Sequence, residues 1–131
     1  MDRFVAQSNS RVRRATRAAE LEENHGQGVI SVFHGIEGAH ALGTDVRRVR
    51  EAAALGVLFI GPVHLSDNAY GGSSSGTNSG LTPLGRALIL EMNRAGVLVD
   101  LAHASPRTFD DALEATVLPP IVSHTGAACR P

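Results

Sequence analysis

Apolar residues along this chain fall into short β-branched runs separated by stretches with helical spacing. The runs at 29–33, 57–63, 97–101 and 121–123 predict four strands. Helix punctuation recurs between them. Residues 45–55 predict a helix with Thr44 as N-cap and Gly56 just past its end. Thr82-Pro83 and Ser105-Pro106 each set a capping hydroxyl before a proline suited to the first helical position. Leu84, Leu88 and Met92 space out a buried stripe on the helix that Gly96 closes, and Phe109 and Leu113 supply the apolar face of the next. Residues 2–24 predict one polar, weakly amphipathic helix, with a turn at 24–28.

Strand-then-helix units of this length require parallel strands joined by crossover helices, so the fold class is α/β. About four βα units make half of a (β/α)8 TIM-like barrel, which typically needs about 250 residues. The expectation is therefore one incomplete barrel domain over 1–131, with an N-terminal helix and turn at 1–27 and strand-helix repeats at 28–131. Half a barrel leaves two sheet edges to be paired or covered, which makes association through those edges, as in a homodimer, the expected protein partnership.

Composition narrows the function. A hydrophobic content of 43% supports a packed core, and the net charge of −1 gives no pull toward nucleic acid. All 12 basic residues are Arg; the absence of Lys removes a Schiff-base lysine, a modified lysine as metal bridge and a P-loop. Arg11, Arg13, Arg14 and Arg17 are followed at once by Glu20, Glu22 and Glu23, the pattern of a solvated helix face rather than an RNA-binding arm. Neither an apolar run of roughly eighteen residues nor a charged-then-apolar leader is seen, so no membrane segment and a cytoplasmic location are expected. The single Cys129 excludes an internal disulfide framework and reads as an incidental thiol.

Chemistry concentrates at the strand ends. Glu37, His64, His103 and His124 each follow a predicted strand, where barrels of this kind carry their functional groups. Burying four such groups without partners would cost roughly several kcal/mol, so their recurrence points to a metal site. One carboxylate and two neutral imidazoles suit Zn²⁺, a glutamate can bridge two ions about 3.5–4 Å apart, and amide hydrolysis is the natural use. His25 and His34 read as surface or packing residues. Asp100 alternates away from His103 and is expected to hydrogen-bond a helix or loop end. Residues 71–80 read as a flexible linker by composition and as an active-site loop by their place after His64.

Five segments carry a resemblance: Gly35-Ile36-Glu37-Gly38-Ala39-His40; His64-Leu65-Ser66-Asp67-Asn68 with Gly71-Gly72-Ser73; Gly80-Leu81-Thr82-Pro83-Leu84-Gly85; Val99-Asp100-Leu101-Ala102-His103; and Ser123-His124. In this order they resemble the central part of the membrane dipeptidase (renal dipeptidase) family of zinc metallopeptidases, from about residue 28 to 126. The resemblance implies a dinuclear zinc dipeptidase on a (β/α)8 barrel of the metal-dependent hydrolase type. Glu37 then matches the bridging carboxylate, His103 and His124 the two imidazoles on one ion, and His64 a histidine that contacts the dipeptide substrate and stabilises the tetrahedral intermediate, with the attacking hydroxide supplied by the metals. His40 belongs to the same motif and would orient a ligand.

Two departures matter. The family's early His-x-Asp pair, which ligates the other zinc, has no counterpart here. Its downstream arginine has no secure match either, since Arg130 follows His124 by only six residues. The sequence therefore predicts a zinc-dependent dipeptidase in truncated form, with two ions in a complete relative and one or none here. The alternative is a catalytically inactive half-barrel remnant acting as a structural or interaction module.

Overall fold

Parallel pairing in chain order organises the structure, a computed structural model that describes residues 2–125. The first part holds α1 (Asp2–Gln7), β1 (Val12–Arg14), α2 (Ala18–Gly26) and β2 (Ile30–Val32), with β1 and β2 in parallel register. β3 (His34–Ile36) then opens a second sheet with β4 (Val57–Ile60) and β5 (Leu98–Val99), ordered β3-β4-β5 and parallel throughout. A 3-10 turn at Ala39–Leu42 and α3 (Arg48–Ala54) link β3 to β4, α4 (Pro83–Ala95) links β4 to β5, and α5 (Pro106–Ala115) follows. The expected fourth strand is reduced to one parallel bridge, Asp100 to Ile121, closed by Leu101 N donating to Ile121 O at 2.8 Å and Ile121 N to Val99 O at 2.9 Å. This is the partial barrel that the strand-helix pattern predicts. Cys129 and Arg130 lie outside the described residues.

The core sits between the second sheet and α3–α5. Ile60, Val97 and Val99 meet Val49, Leu88, Ile89 and Met92, all at most 2% exposed. The stripe predicted on α4 is present, with Leu84 partly buried at its margin. Both proline-led caps form as predicted: Gly85 N donates to Thr82 Oγ1 and Thr108 N to Ser105 Oγ. Tyr70, the chain's one tyrosine, is fully buried and its hydroxyl donates to Gly43 O at 2.7 Å.

Four local expectations are corrected. The single helix over 2–24 is broken, because Asn9 and Ser10 adopt positive φ and the backbone beyond them pairs with β2, which buries Val12 and Ala15. Arg13 and Arg14 thus lie on a strand, not a helix face, and Arg17 pairs with Glu20. The run at 29–33 does not lead to Glu37. That role falls to His34–Ile36, whose Gly35 is required because a Cβ there would stand 2.0 Å from the ring of Phe59. Thr44 does not cap α3; Asp45 accepts from Arg47 N and grips its guanidinium, which holds the Asp45 carboxyl down to about 2. On α5, Leu113 is exposed while Thr108 and Ala112 are buried, because small side chains let the helix approach the loop before α4.

One buried charge joins two helices. Glu91 on α4 is 4% exposed and accepts from Arg50 of α3 and from Arg94. The Arg50 hydrogen bond, more than the charges alone, lowers its carboxyl.

Two outcomes follow. Ser105→Ala removes an acceptor for Thr108 N and a donor to Ser79 O, and is expected to cost about 1–2 kcal/mol in urea unfolding. Because the folded Glu91 carboxyl lies below its unfolded value of about 4.3, its contribution is present above that pH and fades as pH falls through the folded value. Glu91→Gln should accordingly be less stable near neutral pH and show a shallower decline in Tm below about pH 5.

Candidate metal centre

Each strand of the second sheet ends at the same edge, and each delivers one polar head there. Glu37 follows β3 directly. Gly38, with φ 86°, then turns the chain so that Ala39 N reaches Gly61 O at 2.8 Å. His64 lies four residues beyond β4, His103 four beyond β5, and His124 three beyond the Ile121 bridge. His103 has φ 66°, a left-handed conformation costing a non-glycine residue about 1–3 kcal/mol. Neighbouring structure holds it there, since Ser74 N donates to His103 O at 2.8 Å and Ser73 bridges Ala104.

The four heads meet. Glu37 Oε2 lies 3.0 Å from His64 Nε2 and 3.4 Å from His103 Nε2, and His124 Nε2 lies 2.8 Å from His103 Nε2. The His103 ring stands edge-on to both other rings, with centroids 4.6 Å from His64 and 4.7 Å from His124. Glu37, His64 and His103 form the compact group, each offering a ligand atom within 4.8 Å of the others; His124 joins it through His103. Ligand atoms of a tetrahedral zinc ion, with bonds of about 2.0–2.1 Å, stand about 3.3 Å apart, so the donor types and spacing of Glu37, His64 and His103 fit such an ion. The side chains of Glu37, His64 and His103 are 47%, 35% and 21% exposed, which leaves the cluster open to an ion and a small molecule.

The remaining sequence candidates lie elsewhere. His40 is exposed, and its Nδ1 contacts Asn68 Nδ2 at 3.4 Å rather than any of the four heads. His25 is exposed in the last turn of α2, and His34 is half-buried within β3.

Residues 68–80 are an ordered wall of the site, not a linker. Asp67 accepts from Ser73 N at 2.7 Å, Thr77 N at 3.0 Å and Thr77 Oγ1 at 2.6 Å, and these bonds, the Thr77 hydroxyl foremost, lower its carboxyl. Ser73 Oγ in turn donates to His64 O at 2.5 Å. The loop thereby pins the backbone of both His64 and His103. Asp67 fell within the segment at 64–68 that carries the resemblance, but no role was read for it.

Behind His124 lies a second carboxylate. Asp100 is 1% exposed; its Oδ1 accepts from Ala102 N at 3.1 Å and Ser123 N at 3.0 Å, and its Oδ2 from Ser123 Oγ at 2.6 Å. This matches the expected bond to a loop end. Ser123 Oγ also lies 2.9 Å from His124 Nδ1.

Parallel strands with crossover helices, and a carboxylate-imidazole cluster at their ends, make this a partial TIM-like barrel. The chain belongs to the membrane dipeptidase family (peptidase family M19), which it matches over residues 1–129. An uncharacterized dipeptidase of Schizosaccharomyces pombe is 39% identical over 101 residues, covering 75% of this chain and 25% of that protein. The dipeptidase tcpJ of Claviceps purpurea is 32% identical over 130 residues, covering 97% and 31%. Among solved structures, a Rhodobacter sphaeroides metallopeptidase bound to a phosphinate mimic of the dipeptide L-Ala-D-Ala superposes with a TM-score of 0.80 at 30% identity, over 90% of this chain and 36% of that one. The probable dipeptidase PvdM of Pseudomonas aeruginosa shares the fold with a TM-score of 0.85 at 22% identity, over 95% and 33%. The chain thus spans a quarter to a third of the length of these curated relatives. No helix among the described residues is long and apolar enough to cross a membrane.

Asp67→Ala is expected to free the loop. Hydrogen exchange at the Ser73 and Thr77 amides should accelerate by about tenfold or more, the loss of roughly 1.4 kcal/mol of local protection, with a smaller rise at Ser74.

Proposed function

We propose that this chain carries part of a zinc-dependent dipeptidase centre, in which Glu37, His103 and His124 hold the metal and His64 faces the scissile bond of a dipeptide. The observation that carries this reading is the meeting of four heads from four separate strand ends, with contacts of 2.8–3.4 Å between neighbours. Family membership supports peptide hydrolysis, and the dipeptide mimic in the R. sphaeroides relative supports dipeptides as the substrate class.

When bound, zinc supplies a water activated near neutral pH and polarisation of the scissile carbonyl. The residues do the rest. Glu37 would contribute the one carboxylate of the cluster and offset part of an ion's charge. His64, 3.0 Å from that carboxylate and a third exposed, is placed to donate Nε2–H to an oxygen that gains negative charge as the carbonyl is attacked. The wall at 68–80 keeps His64 and His103 from turning away.

A second reading rests on one observation: no His-x-Asp occurs in the sequence. A half-barrel lacking the partner ligands would bind zinc without turnover and serve as a structural or interaction module, associating through its sheet edges at β3 and Ile121.

The full chain is expected to bind about one zinc ion, measured by elemental analysis after dialysis, and Glu37→Ala is expected to weaken that binding by about a hundredfold. Hydrolysis of an alanyl dipeptide should cease with chelator and return with zinc. Zinc binding without hydrolysis favours the module reading. Absence of stoichiometric zinc, or undiminished hydrolysis in Glu37→Ala, counts against the metal centre itself.

A further inference from the structure

We infer that Asp100 and Ser123 form a hydrogen-bond relay that sets the tautomer of His124 and so makes its Nε2 the ligand atom. The inference rests on the zinc reading above and adds two positioning residues to it.

The polarity of the relay follows from counting donors. Asp100 is buried. Its charge is met by three donors: two backbone N–H groups on Oδ1 and the Ser123 hydroxyl on Oδ2. A carboxylate only accepts, so the one proton of Ser123 Oγ points to Asp100 at 2.6 Å. At His124 Nδ1, 2.9 Å away, the same oxygen has only lone pairs left to offer. Nδ1 must then be the protonated nitrogen, and Nε2 carries a free lone pair aimed at His103 and the cluster. Without a metal, His103 Nε2 supplies the proton in the 2.8 Å contact between the two rings.

Swapping the acid for its amide reverses the chain. In Asp100→Asn the two backbone donors hold the side-chain oxygen, so the new NH₂ faces Ser123 Oγ. Ser123 then donates to His124 Nδ1, and Nε2 takes the proton.

The test is performed on the full chain. Long-range ¹H–¹⁵N correlation of the metal-free protein, well above the ordinary imidazole range of about 6.5, should show His124 protonated at Nδ1. Ser123→Ala, at an exposed position, should give mixed tautomers and bind zinc about 10–100-fold more weakly in chelator competition. Ser123→Thr, which keeps the hydroxyl, should restore both readouts, and Asp100→Asn should shift the ring to the Nε2–H form. A wild-type ring protonated at Nε2, or a Ser123→Ala protein with unchanged tautomer and zinc affinity, overturns the relay. If the wild-type chain binds no zinc while the Nδ1–H form and its loss in Ser123→Ala are observed, the metal reading fails and the relay stands.

Discussion

Parallel register in chain order is the constraint on which everything else depends. When β3, β4, β5 and the Ile121 bridge run the same way, the chain leaves each of them at one edge of the sheet. Residues as far apart in the chain as Glu37 and His103, 66 positions, are then neighbours without any local sequence bringing them together. The helices enforce this arrangement: their apolar faces cover one side of the sheet, and a strand running the other way would carry its polar head to the opposite end.

Precision at that edge comes from polar contacts rather than from the core. The loop at 68–80 has little apolar content besides Tyr70, yet it is tied down at Asp67, at the backbone of His64 and His103, and at Ser105 and Thr108 of the α5 region. This density of bonds offsets the strain of the left-handed His103. A left-handed backbone at a histidine that meets three other polar heads is the pattern of a site whose geometry is held against local preference.

Much of the fold was legible because its signals are local. Proline after a hydroxyl, glycine at a helix end and the α4 stripe each act within one or two turns, and all three stand as read. The N-terminal strand was hidden because Val12-Arg13-Arg14 is too short and too charged to show alternation; its extended form comes from pairing with β2. β3 was hidden because its core contact is a glycine beneath Phe59, which carries no hydrophobic signal. At the site, the residue types Glu37, His64, His103 and His124 stood out by their place after strands, and the resemblance named them. The roles of the supporting groups did not. Asp67, Ser73 and Ser123 fall within the matching segments and Ser74 beside one, but by composition they are ordinary loop residues, and their importance lies in contacts that only the folded chain shows.

The thin attachment of the segment around Ile121 has a temporal consequence. Two backbone hydrogen bonds and the Ser123–Asp100 contacts dock it against β5, and it carries the last of the four heads to leave the ribosome. Glu37, His64 and His103 precede it in the chain, and His124 reaches them only through this docked segment. The cluster is thus held most loosely at the member that is synthesised after the other three, so anything that loosens the two bonds at Ile121 is felt first at His124.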